Sequence, residues 1–138
     1  MSIQYFNEDV AFPKLLKRKS NNWIKDVIVS EGMKPGDVSF IFCSDNYLLE
    51  VNKKYLNHDY FTDIITFDYV ENGIVNGDIF ISIDRVGENA RGYKTTFENE
   101  LNRILIHGVL HLLGYKDKTK KDKSVMTEKE DFYLNVLI

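Results

Sequence analysis

Cysteine and histidine are both scarce in this chain of 138 residues, which has one of the first and three of the second. A lone Cys43 rules out an intramolecular disulfide, and three histidines rule out a His-rich metal cluster. The run Ser39-Phe40-Ile41-Phe42-Cys43 makes the thiol a small buried hydrophobe in a strand, and no histidine or basic residue adjoins it to make it reactive. No apolar run approaches the ~18 to 20 residues that cross a bilayer, and the first five residues lack the basic-then-apolar layout of a signal peptide. The expected compartment is the cytoplasm, with no membrane partner. Internal repeats, Ser/Gly linkers and low-complexity tracts are lacking as well, so residues 1–138 read as one domain. Nor is there an excess of positive charge: 18 Lys+Arg against 21 Asp+Glu give a net charge of -3. Coating of duplex nucleic acid by bulk charge is thereby excluded, whereas a local basic patch is not.

The local patterns predict a strand at residues 3–6 and a helix over 13–30, with Pro13 in its first turn and Gly32 beyond its end. A strand follows at 38–43, then a helix at 45–56 with Leu48, Leu49 and Val51 on its apolar side. Strand-like runs at 64–70 and 78–83 flank a loop whose Asn72-Gly73 and Asn76-Gly77 pairs are turn formers, which suggests an antiparallel ribbon. From Asp84 onward the pattern is helical, with breaks near Gly92 and Gly114. The expected fold class is α+β: a small mixed sheet of about four strands packed with helices.

Chemistry concentrates in residues 95–117. Thr95 and Glu98 have capping-box spacing, residues 101–113 are apolar nearly all round as a buried helix requires, and Gly114 suits a left-handed helix end. His107 and His111 lie four apart in this helix, so they share a face with Cβ atoms ~5-6 Å apart, the two-pronged clamp of zincin-like sites. After the turn at Gly114, the next three residues span ~10 Å and can return Asp117 to the same ion as third ligand. Asp122 lies close enough in sequence to compete for that place. Two ordinary core histidines bonded to backbone carbonyls are the alternative, but clamp spacing, a glycine turn and a following carboxylate favour a metal. Such a set leaves an open position, as catalytic zinc sites do, where a water could ionise near neutral pH and attack an electrophile polarised by the ion. Zinc peptidases carry Glu after the first histidine as general base; this chain has Gly108.

The segment His107-Gly108-Val109-Leu110-His111-Leu112-Leu113-Gly114-Tyr115 resembles the signature of the YbeY-type endoribonucleases, His-Gly-x-Leu-His-Leu-x-Gly-Tyr-Asp-His. Agreement extends to Asn52-Lys53-Lys54-Tyr55, Asp59, Thr62-Asp63-Ile64-Ile65-Thr66-Phe67 and Gly77-Asp78-Ile79, in matching order over about residues 45–118. The resemblance implies a zinc-dependent endoribonuclease that prefers single strands, with one ion per chain, acting on RNA in small-subunit ribosomal RNA maturation and ribosome quality control. Its partners would be ribosomal RNA and the small ribosomal subunit.

Two departures stand out. Asp117, preceded by Lys116, takes the place of the family's third histidine, and Leu56 stands where many relatives have an arginine with a catalytic or RNA-contacting part. His58 could replace that arginine as acid or phosphate donor, against the simpler reading of an exposed loop histidine. Arg103, one turn before His107, is another possible phosphate contact, and Asp63 either orients a ligand histidine or caps a turn. Tyr115 walls the pocket or stacks a base, or more simply packs beside the helix end. Cations for RNA fall in two clusters, one of Lys14, Lys17, Arg18 and Lys19, the other of Lys116, Lys118, Lys120, Lys121 and Lys123, the second tethered to the proposed ligand. Two rival functions remain: a zinc peptidase of the helical-clamp type, and a non-catalytic ribosome-assembly factor with a structural zinc.

Overall fold

The computed structural model describes residues 2–137. In chain order its elements are β1 (Ile3–Asn7), α1 (Lys17–Ser30), β2 (Lys34–Cys43), α2 (Asp45–Leu56), β3 (Ile64–Asp68), β4 (Ile74–Ser82), α3 (Ile83–Gly92), α4 (Phe97–Leu112) and α5 (Lys120–Val136). The strands form one mixed sheet in the order β1-β2-β4-β3; β1, β2 and β4 run parallel, and β3 pairs antiparallel with β4. This is the expected α+β class.

Strand periodicity sorts the apolar residues onto two faces. Phe40 and Phe42 of β2 and Ile79 and Ile81 of β4 join the main core with Trp23, Ile24, Val27 and Ile28 of α1 and most of α4. On the other face, Leu48 and Val51 of α2 cover Ile65 and Cys43. Cys43 is fully buried and its thiol is pushed up to about 12, by desolvation first and by the nearby Asp9, Glu8, Asp84 and Asp45 charges second. It is an inert core residue, as expected.

α4 packs on β3 and β4 and is also in contact with α1, α3 and α5, which explains why its apolar surface extends nearly all round. Leu101, Ile104, Leu105, Ile106, Val109, Leu110 and Leu112 are all buried. At Gly108 the helix meets the sheet so closely that a Cβ would stand 3.0 Å from Ile79 Cγ2 and 3.1 Å from Ile64 Cδ1. Position 108 therefore faces packed aliphatic side chains.

Three local expectations are corrected. The first helix begins at Lys17, not near Pro13, and its cap residue Leu16 makes no side-chain cap bond. Residues 10–15 form an irregular strap instead: Pro13 is buried, Val10 and Leu15 pack on the core, and Phe12 meets Phe42 edge-on at 5.6 Å. Of the two Asn-Gly pairs only the first makes the turn, with φ of 54° at Asn72 and 76° at Gly73, as a two-residue hairpin needs. Asn76 and Gly77 lie within β4; a Cβ on Gly77 would come 2.8 Å from Leu112 Cδ2, and Asn76 Oδ1 accepts a bond of 2.8 Å from the Asp37 amide. Lastly, α4 is capped by Thr96, whose hydroxyl accepts from the Asn99 amide at 3.0 Å, and not by a Thr95–Glu98 box. Thr95 accepts from the Asn99 side chain instead.

Candidate metal centre

The site is built where α4 ends. Gly114 adopts φ 103°, its amide bonds to His111 O, and the Tyr115 amide bonds to Leu110 O, both at 3.0 Å. This paired closure turns the chain back sharply after the second histidine. Asp117 thereby returns to the face carrying His107 and His111. Asp122 does not compete: its carboxylate accepts the Thr119 amide at 3.3 Å while the Thr119 hydroxyl accepts the Asp122 amide, a capping box that starts α5.

Three donor atoms converge. His107 Nε2 and His111 Nε2 stand 3.0 Å apart, and Asp117 Oδ2 lies 3.3 Å from the first and 3.4 Å from the second. Ligands around a tetrahedral ion with bonds of ~2.0-2.1 Å stand ~3.3-3.4 Å from one another. The triad can therefore hold one metal ion without large rearrangement, and it is the group of three such residues found among the described residues.

The histidines are held by different means. His107 Nδ1 lies 2.5 Å from Glu130 Oε2, so its proton sits on the Glu130 side and the Nε2 lone pair faces the site. Burial pushes the His107 pKa down, but the Glu130 hydrogen bond and charge, with Asp117 and Asp63, outweigh it and leave the pKa raised. His111 is lowered, by burial first and by the neighbouring His107 charge second. It stays neutral, as a metal ligand must be, further into the acid range than an ordinary histidine.

Glu130 is itself buried on α5 and is fixed by Arg103, whose Nη1 lies 2.8 Å from its Oε1 while Nη2 reaches Asp131 Oδ1 at 2.7 Å. A second brace supports the turn: Tyr115, Tyr133 and Lys129 all direct hydrogen bonds to the Glu31 carboxylate at the end of α1. Tyr115, between His111 and Asp117 in sequence, is thus tied by its hydroxyl to another helix.

A cleft of about 1190 Å³ opens beside the triad, and Asp63, Glu100, Arg103, His107, Asp117 and Glu130 contribute to its lining. Asp63 and Glu100 both have raised pKa values, chiefly from desolvation. Asp63 feels the charges of His107 and Asp117, but the carboxylate hydrogen-bonded to a histidine of the triad is Glu130. The structure places Arg103 at the cleft with its guanidinium committed to α5 carboxylates. It does not bring His58 there: that ring is exposed, stacked on Tyr60, and bonded to the Tyr60 hydroxyl at 3.0 Å. Lys116, Lys118, Lys120 and Lys121 are exposed outside the cleft wall, whereas Lys19 and Lys123, one from each cluster, line it.

Sequence reasoning missed Glu130, Glu31 and Glu100. For Glu130 a signal existed: with Met126 and Tyr133 it forms the buried stripe of α5, and an acid on an apolar stripe needs a partner.

Comparison with known proteins extends this picture. Curated relatives described as "Endoribonuclease YbeY" include one from Parabacteroides distasonis, 48% identical over 137 residues (99% of this chain, 96% of the relative). Another, from Flavobacterium psychrophilum, is 51% identical over 126 residues (91% and 90%). Among solved structures, the solution structure of TM1509 from Thermotoga maritima superposes with a TM-score of 0.70 at 30% identity, covering 99% of this chain and 89% of that one. The family described as "Endoribonuclease YbeY" matches residues 2–138, and with that span, those identities and a shared fold this chain belongs to it.

Proposed function

We propose that this protein is a metal-dependent endoribonuclease that hydrolyses phosphodiester bonds of single-stranded RNA, with one Zn²⁺ held by His107, His111 and Asp117. We further propose that it acts in the cytoplasm on small-subunit ribosomal RNA, in maturation and quality control. The observation that carries the reading is the convergence of three donor atoms within 3.0–3.4 Å of one another at the edge of an open cleft.

A bound zinc ion would supply a Lewis acid for the phosphoryl group and lower the pKa of water at the open position. The chain's own residues do the rest. Glu130 keeps the His107 proton on Nδ1, Arg103 holds Glu130, and the Gly114 turn presents Asp117. Asp63, desolvated in the cleft lining and within electrostatic reach of His107 and Asp117, would take or give a proton at the reacting oxygens. The peptidase alternative is disfavoured because position 108, where its general base would stand, is packed against Ile79 and Ile64.

The test is cleavage of a labelled single-stranded RNA. Wild type should lose cleavage on chelation and regain it with Zn²⁺, His111→Ala should be inactive, and peptides should remain uncut. Cleavage that persists in His111→Ala refutes the reading. RNA binding without metal-dependent cleavage favours the assembly-factor alternative.

A further inference from the structure

We infer that residues 55–61, the last two residues of α2 and the loop that leads from it to Asp63, form a stacking platform for the bases of single-stranded RNA beside the metal cleft. The inference rests on the endoribonuclease reading above and adds where the substrate's bases lie.

Carboxylates outnumber cations on the cleft wall, six against Lys19, Arg103 and Lys123, and Arg103 is committed to Glu130 and Asp131. Such a wall welcomes a cation but repels a phosphate backbone, so affinity for RNA has to come from contacts next to the cleft. Residues 55–61 supply a different chemistry. Tyr55 is 61% exposed, Tyr60 56% and Phe61 49%, so flat apolar rings stand in water on one short segment. Tyr60 is already stacked on His58, with ring centroids 5.1 Å apart and planes within 22°, a small preformed π-surface. Cations flank the rings: Lys54 Nζ lies 5.3 Å from the Tyr55 ring, and the Arg85 guanidinium, whose Nε is bonded to Asp45 at 3.2 Å, lies 5.5 Å from that of Phe61. Aromatic faces interleaved with Lys and Arg are the surface that single strands bind, since every base has a π-face and the cations meet the phosphates between.

The platform is continuous with the cleft. Phe61 is two residues from Asp63, which lines the cleft, and the Arg85 guanidinium that lies 5.5 Å from the Phe61 ring is also within electrostatic reach of the Asp63 carboxyl. A strand stacked on Tyr60 and Phe61 would therefore pass its next phosphate toward the triad.

The experiment measures fluorescence anisotropy of the zinc-loaded protein with a labelled single-stranded 2′-O-methyl RNA, and with the same backbone made abasic at its central positions. Wild type should bind the base-bearing strand more tightly. Tyr60→Ala and Phe61→Ala should each weaken that binding about tenfold and leave the abasic strand unaffected, while Tyr60→Phe, which keeps the ring and loses the His58 bond, binds as wild type. In RNA cleavage the alanine variants should raise KM more than they lower kcat. If wild type cleaves RNA but the alanine variants retain its base preference, the platform alone is overturned and the patch passes to a protein partner. If both strands weaken equally, charge and not stacking is responsible, and the platform is again overturned. A wild type that neither binds nor cleaves RNA overturns the endoribonuclease reading itself.

Discussion

The α4–α5 side of the molecule and residues 53–61 differ in how their polar and aromatic groups are satisfied. On the first side nearly every group has a fixed partner: His107 has Glu130, Glu130 has Arg103, and Tyr115 and Tyr133 share Glu31. On the second, residues 53–60 are exposed without a break, and several rings face water. Metal geometry tolerates errors of only a few tenths of an ångström, so ligands need rigid support. A surface that receives flexible strands works without such bracing.

The sharpest contrast should appear with His107→Ala, which removes a proposed ligand and leaves Glu130 Oε2 without its histidine; zinc retained after dialysis and RNA cleavage should both be lost. Next comes Glu130→Gln, expected to weaken zinc binding about 10- to 100-fold in a chelator competition. It also carries a pH signature. Because Glu130 raises the His107 pKa, protons compete with metal to higher pH than at an ordinary histidine. Loss of the carboxylate charge should therefore lower the His107 pKa of the zinc-free protein in an NMR titration, and a raised or unmoved pKa contradicts the assigned role.

Gly108→Ala should cost about 1-3 kcal/mol in urea unfolding, because its Cβ meets Ile79 and Ile64 at 3.0–3.1 Å. Tyr60→Ala, at the other extreme, should change stability by less than about 0.5 kcal/mol. Comparable losses in those two variants would erase the distinction between the regions.

The same division governs what could be read from the sequence. The helical clamp was legible because spacing, apolar surround and glycine turn are all local, and Asp117 lies within reach of one turn. Glu130 and Glu31 act across 23 and 84 residues respectively, so their roles exist only once α5 and α1 pack against α4. Elsewhere, equal signals misled. Two Asn-Gly pairs carry the same turn propensity, but Gly77 pairs with Val38 and Asp68 in the sheet, where Leu112 and the Phe67 carbonyl leave no room for a Cβ. Two adjacent threonines could each cap α4, and the hydroxyl that reaches the Asn99 amide is the second. Pro13 suggested a helix start, but the core takes Phe12 and Leu15 from an irregular strap.

The ligand set itself is tested most directly by zinc-edge X-ray absorption of the loaded protein, wild type against Asp117→Ala. Two imidazole nitrogens at ~2.0-2.1 Å with a carboxylate oxygen at ~2.0-2.2 Å are expected, with loss of that oxygen in the variant. An unchanged spectrum in Asp117→Ala, or a shell containing a single imidazole, would contradict that ligand set.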